Sequence, residues 1–187
     1  RDRSSNGKKF TKYQRNTLKI MLTALIDYES GNLHSALKAF EKISSENSLG
    51  SVTVTNDPEI VSNADRLVLP GDGAFPACKV ALEKSEVFEA LKHAVLAKGR
   101  PFLGICVGMQ LMAKKGFEFE PTNGLNWING QVERIQLDDP SLKIPHMGWN
   151  EIAIDHYHAI LKDIKNGDHF YFVHSYQMRV FSHEERL

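Results

Sequence analysis

Cysteine is scarce in this chain: Cys78 and Cys106 are the two in 187 residues. That is too few for a disulfide framework, and nothing resembles a secretion signal, so a reducing cytoplasm is the expected setting. Long apolar runs are missing as well. None approaches the ~18–20 residues that span a bilayer, so no membrane association is expected. Charge of one sign is absent overall, because 23 basic and 23 acidic residues cancel. The balance hides an asymmetry. Residues 1–20 carry Arg1, Arg3, Lys8, Lys9, Lys12, Arg15 and Lys19 against Asp2 alone, a net of +6 that leaves −6 on residues 21–187. An acidic body gives no support to a nucleic-acid footprint. The basic stretch has no apolar periodicity until Leu18 and Ile20, so residues 1–20 read as a disordered extension and Met21 as the natural start. Residues 21–187 suit one domain with a real core.

What is present is most informative at Pro101-Phe-Leu-Gly-Ile-Cys-Val-Gly-Met-Gln110. Phe102, Leu103 and Ile105 form a short apolar run that reads as a buried strand. Gly104 and Gly108 flank Cys106 at two residues on either side, the G-x-nucleophile-x-G spacing of a strand that turns sharply into a helix. Side chains at the flanking positions would collide in so tight a turn. The sulfur would then project from the carboxyl end of the sheet, at the N-terminus of a helix beginning near Val107. That location is expected to favour thiolate, the form that attacks carbon. Free cysteine is also a common core residue, so spacing alone leaves a buried structural role open.

Strands alternate with helices over the first two thirds of the chain. Leu22–Ile26 reads as a strand, and Asn32 as the cap of a helix carrying Leu33, Ala36, Leu37 and Phe40 on one face. Val52–Val54 and Arg66–Leu69 read as strands, with Asp57-Pro58 opening a short helix between them. Helical patterns follow over 74–84 and 87–98. This order implies an α/β fold with a mostly parallel sheet, in which ligands bind beyond the carboxyl ends of the strands. After Gly116 the pattern changes. Trp127–Ile135, Trp149–Ile154 and His169–Val173 look like strands of more antiparallel character, with a short helix over Tyr157–Ile164.

Pro70-Gly71-Asp72-Gly73 closes one of the parallel strands. It is a turn on its face, but glycine-rich backbone beside a nucleophile can aim N–H groups at a developing oxyanion. The amide of Val107, next after Cys106, is the usual second donor. Gln110 lies one helical turn on, close enough to touch a substrate or, alternatively, facing solvent. A thiolate that attacks an amide also needs a histidine to carry protons. His34 and His93 fall on helices and read as surface residues. His156 and His158 could flank a metal, but no further ligands complete a site, so neither metal nor cofactor is expected. His146 and His174 occupy turn or strand-end positions, and chain position alone does not choose among the rest.

Five segments, taken in order, carry a family resemblance: Asp27-Tyr-Glu-Ser-Gly-Asn-Leu33, Leu69-Pro-Gly-Asp-Gly-Ala-Phe75, Gly104-Ile-Cys-Val-Gly-Met-Gln110, Pro145-His-Met-Gly-Trp-Asn150 and Tyr171-Phe-Val-His-Ser-Tyr176. Together they resemble the glutamine amidotransferase subunit of imidazole glycerol phosphate synthase, within the class I amidotransferases. The resemblance implies a mostly parallel central sheet flanked by helices, with a smaller antiparallel portion after residue 120. It implies a glutaminase of histidine biosynthesis, working through a γ-glutamyl thioester and passing ammonia to a (β/α)8-barrel cyclase subunit. On this reading Cys106 is the nucleophile, Gly73 and Val107 supply the oxyanion hole, and Gln110, Ser175 and Tyr176 contact glutamine. His146, Met147, Trp149, Asn150 and His174 face the cyclase, and neither histidine is the family's triad base.

One departure stands out. The family's triad His and Glu lie in a Phe-His-Pro-Glu motif near the C-terminus, and that motif is absent here. His183 and Glu185, in Phe181-Ser-His-Glu-Glu-Arg186, are weak substitutes that follow directly on the strand after Tyr176. The expectation is therefore an amidotransferase domain over 21–187 that is C-terminally incomplete and has little activity as it stands. The alternative is a catalytically silent module that binds and supports the cyclase.

Overall fold

The computed structural model describes residues 20–139 and 141–186. The expected basic extension therefore lies outside the described residues, apart from Ile20. Leu22–Ile26 forms β1 and Arg66–Gly71 forms β3, and both are buried almost from end to end. Ala24, Ile26, Leu67 and Leu69 alternate onto one face and join the main core, while Leu25 and Val68 are buried on the other. Burial on both faces is why these strands read as continuous apolar runs. β1 pairs in parallel with β2 (Ser51–Thr55) and with β3, and β3 pairs in parallel with β4 (Phe102–Cys106). The resulting order is β2-β1-β3-β4.

The helices that cover this sheet begin where the side chains say they should. Asn32 accepts from the Ser35 N–H at 3.1 Å and opens α1 (Leu33–Asn47). Asp57 accepts from the Glu59 N–H at 2.8 Å, with Pro58 in the first turn of α2 (Pro58–Asn63). α3 (Phe75–Lys84) and α4 (Phe88–Lys92) contribute Phe75, Cys78, Leu82 and Leu91 to the core. The expected single helix over 87–98 is interrupted. α4 passes into a π-helical turn at His93–Ala97, closed by the Lys98 N–H on His93 O, and Ala94 stays buried through it.

β4 turns into α5 (Val107–Gln110), and from there a second, mixed sheet begins. β5 (Ala113–Gly116) pairs antiparallel with β6 (Thr122–Asn123) and parallel with β7 (Ile128–Arg134). β8 (His146–Glu151) and β9 (His169–His174) form a separate antiparallel ribbon. β10 (Tyr176–Val180) then returns to pair antiparallel with β7. The antiparallel character after residue 120 is thus present. Its boundaries differ from expectation at two places. β8 lies three residues earlier than the Trp149–Ile154 run, because its partner is His169–His174 and the ladder runs from His146↔His174 to Glu151↔His169. The segment Tyr157–Ile164 makes only a 3₁₀ turn at Ala159–Leu161. Its apolar residues Tyr157 and Ile160 are exposed, and a short amphipathic helix with nothing to pack against is not stable. Among the described residues no helix is long and apolar enough to cross a membrane.

Candidate active site

Cys106 sits at the end of β4 with φ 54° and ψ −120°. A positive φ on a non-glycine residue costs energy and persists where the surroundings over-determine it. Those surroundings are glycines. A Cβ on Gly104 would come within 2.5 Å of Met109 Cα, and one on Gly108 within 1.9 Å of Leu69 O. The flanking side chains are excluded by α5 and β3 rather than by each other. Register does the rest. β3 and β4 pair Leu69 with Gly104 and Gly71 with Cys106, which brings the Pro70–Gly73 loop directly beside Cys106. A Cβ on Gly71 would meet Gly108 N at 2.3 Å, so this approach also requires glycine.

The electrostatics do not follow the expectation of a helix-activated thiolate. The Cys106 thiol is pushed up from its ordinary value, chiefly by burial of the group in the cleft. The Val107 N–H bonded to the sulfur opposes this, while the Asp72 carboxylate and the neighbouring Cys78 push the thiol further up. α5 has only four residues, so its dipole is small, and even a full helix terminus is typically worth about 0.3–1 kcal/mol. Desolvation wins. The unliganded cleft holds a thiol.

A cleft of about 240 Å³ opens around Cys106 and includes Gly73, Val107, Gln110, Ser175 and Tyr176. Every residue expected to form the oxyanion hole or touch substrate is therefore brought to one place. Gln110 is 7% exposed, which rules out the solvent-facing alternative. Its Nε2 donates to Tyr176 O at 3.4 Å. The same carbonyl accepts from His174 Nδ1 at 2.9 Å. Glu118, which lies outside every segment singled out in the sequence, also lines the cleft. Its carboxylate accepts the Phe75 N–H at 2.7 Å, at the start of α3. In Phe117-Glu-Phe-Glu120 nothing distinguishes Glu118 from Glu120; only the fold turns one of them into the cleft.

The histidines resolve by hydrogen bonding. His174 Nδ1 faces a carbonyl, so in the neutral ring it carries the proton, and Nε2 accepts from His146 Nδ1 at 3.1 Å. His146 Nε2 then accepts from the Asn150 amide at 3.5 Å, and Asn150 Oδ1 is held by the Glu151 N–H at 2.9 Å. Both ring nitrogens of His174 are thus committed, although it lines the cleft. Among the described residues it is the one histidine lining either cavity that contains Cys106. His183 lies in a 3₁₀ turn, where Arg186 donates to its Nδ1 at 3.2 Å. It lines neither cavity, whereas Glu185 lines the larger one, of about 670 Å³. No cluster of three or more metal-ligating side chains occurs among the described residues.

A strained cysteine between two obligatory glycines, beside a cleft at the carboxyl edge of a parallel sheet, is the geometry of a nucleophile elbow. The sequence profile of the family "Glutamine amidotransferase class-I" matches residues 24–186. The chain belongs to that family. It is 58% identical over 168 residues to the imidazole glycerol phosphate synthase subunit HisH of Ruegeria pomeroyi, and 56% to that of Cereibacter sphaeroides. Each alignment covers 89% of this chain and 79% of the relative. The HisH subunit of Caulobacter vibrioides is 49% identical, over 83% of this chain and 73% of its own. The fold is also that of a crystal structure of a glutamine amidotransferase from Thermotoga maritima, with a TM-score of 0.51 at 16% identity. The chain spans 63% of that protein's length, and 86% of this chain is matched.

The two thiols should differ sharply in reactivity. Cys106 is exposed and Cys78 is 3% exposed, so iodoacetamide followed by peptide mapping should modify Cys106 first. Alkylation needs thiolate. The raised thiol therefore moves the midpoint of the rate–pH profile above that of a free cysteine peptide, with the rate rising as pH rises. Asp72→Asn removes one opposing charge and should move the midpoint down. Faster labelling at Cys78, or a midpoint below the free peptide's, would contradict this account of the cleft.

Proposed function

We propose that this chain is the glutaminase subunit of an imidazole glycerol phosphate synthase, acting in histidine biosynthesis. The observation that carries the proposal is the convergence on Cys106 of backbone donors, a carboxylate and polar side chains within one small cleft. Glutamine brings an α-ammonium, an α-carboxylate and a side-chain amide. Glu118 complements the ammonium, and Gln110, Ser175 and Tyr176 offer polar contacts to the rest. The Cys106 thiolate attacks the amide carbon, and the Gly73 and Val107 N–H groups stabilise the oxyanion that forms. The C–N bond then breaks, ammonia leaves with a proton, and a γ-glutamyl thioester remains. Water hydrolyses it to glutamate and restores the thiol. No cofactor takes part. Two free cysteines suit a cytoplasmic setting.

The partner on this reading is a (β/α)8-barrel cyclase that receives the ammonia, paired with this chain as a heterodimer. The β8–β9 ribbon is the surface that fits it. Met147 and Trp149 on β8 stand opposite Val173 and Tyr171 on β9, and all four are exposed on one face. Trp149 and Tyr171 pack edge to face at 5.6 Å between ring centroids. Apolar and aromatic side chains gathered so are typical interface anchors. On the other face of the ribbon His146, Asn150 and His174 hold the strands in register beside the cleft. They act as supports of the interface rather than as its contact face.

The second reading, a catalytically silent module that supports the cyclase, draws on one observation: the committed nitrogens of His174. It leaves no described histidine that lines a Cys106 cavity free to carry a proton for the sulfur. General acid–base help is worth about 10²–10⁴-fold. Ammonia release by this chain with its cyclase should therefore fall short, by about that factor, of a version extended through a Phe-His-Pro-Glu motif. Equal rates, lost on His183→Ala, would instead make His183 and Glu185 the working pair. No gain of activity on extension would favour the silent module.

Docking is tested separately. Trp149→Ala should weaken co-purification with the cyclase at least about tenfold, as expected for an aromatic anchor, and leave the far-ultraviolet circular dichroism unchanged. Undiminished binding would move the docking face elsewhere.

A further inference from the structure

The Asp72 carbonyl is gripped from two elements. Ser30, in the loop between β1 and α1, donates its hydroxyl to Asp72 O at 2.9 Å. Cys78, on α3, reaches the same oxygen through its thiol at 3.4 Å. Ser30 Oγ and Cys78 Sγ are themselves 3.2 Å apart. A hydroxyl has one proton and two lone pairs. With its proton committed to Asp72 O, Ser30 can still accept, so the single Cys78 proton is shared between Asp72 O and Ser30 Oγ and closes the set. Tyr28 is buried alongside. Its phenol is pushed up, first by burial; Ser30 offsets part of this and the thiols of Cys78 and Cys106 reinforce it. None of these side chains is consumed by the chemistry at Cys106.

The consequence lies in the peptide that they hold. In a trans peptide the C=O and N–H point in opposite directions within one rigid plane. Asp72 C=O and Gly73 N–H belong to the same peptide, so fixing the carbonyl fixes the donor. Gly73 has φ +110°, a region that glycine visits freely. Left to itself, this loop would let the peptide turn over. Turned over, it would present the Asp72 carbonyl to the cleft and repel the negative charge that the site must stabilise. We propose that Ser30 and Cys78 are positioning residues that latch the Asp72–Gly73 peptide and so aim the Gly73 N–H at an oxyanion formed on Cys106. The proposal rests on the acyl-transfer reading of Cys106 given above.

Two probes of Cys106 separate the latch from general disturbance. Iodoacetamide displaces iodide at a saturated carbon and builds no oxyanion. A glutamate γ-ester of para-nitrophenol acylates the sulfur instead: the C–S bond forms, the C–O bond breaks, para-nitrophenolate leaves with the electron pair, and the thiol proton passes to buffer. In Ser30→Ala and Cys78→Ala the burst of para-nitrophenolate should slow by about 10- to 100-fold, short of the loss of an entire oxyanion donor. Alkylation should not slow in any of these variants, and in Cys78→Ala it should be equal or faster, because Cys78 helps to hold the Cys106 thiol up. Ser30→Thr and Cys78→Ser, which keep a donor, should retain most of the acylation rate. If Ser30→Ala fails to fold, the Cys78→Ala and Cys78→Ser pair carries the comparison. Unchanged acylation in both alanine variants overturns the latch, as does an equal slowing of both probes. A wild-type chain that is alkylated but never acylated overturns the glutaminase reading first, and the latch with it.

Discussion

The site depends on a close approach of backbones at which three positions can carry no side chain. Gly71 ends β3, Gly104 lies in β4 and Gly108 in α5, and an added Cβ at each would overlap backbone atoms of the other segments. This packing lets β4 reverse into α5 within one residue, and that residue is Cys106. The strain at its positive φ is held there by two buried parallel strands, whose apolar residues face core on both sides. The burial of β1 and β3 thus stabilises the sheet and also sustains an unfavourable conformation at its carboxyl edge. Such strain is more than an isolated turn would tolerate.

A separate effect sets the state of the sulfur. Partial desolvation of Cys106 in its own cleft pushes the thiol up, and a four-residue helix does not offset that rise. The cleft is organised around backbone groups as much as side chains. Tyr176 O ties Gln110 to His174, and His174 ties the cleft to His146 on the ribbon whose other face is apolar and exposed. The exposed apolar face of this ribbon and the Cys106 cleft are therefore contiguous, and Val173 lines the cleft as well.

Much of this was legible in the sequence where a residue has one local job. Asn32 and Asp57-Pro58 mark helix starts because a cap is a contact within a few residues. Gly104-Ile-Cys-Val-Gly108 marks the elbow because the turn admits few other residues. The parts that were not legible depend on distant partners. β8 lies three residues earlier than its own pattern suggests, since β9 sets its register. Tyr157–Ile164 has a helical pattern but no surface to bury it against. Glu118 looks like any charged residue after a strand until Phe75 N–H draws its carboxylate to the start of α3. The thiol of Cys106 was misjudged for a related reason. Motif spacing reports the helix terminus but not the partial desolvation and the nearby Asp72 that push the thiol up.

The central claim is that Cys106 is the nucleophile of a glutamine site. The direct measurement is inactivation by a chloroketone analogue of glutamine, read by intact mass and peptide mapping. The account predicts one analogue per chain on Cys106, protection by glutamine, and loss of that protection in Gln110→Ala or Glu118→Ala while iodoacetamide still reacts. Labelling that glutamine does not slow, or that falls on Cys78, would contradict it.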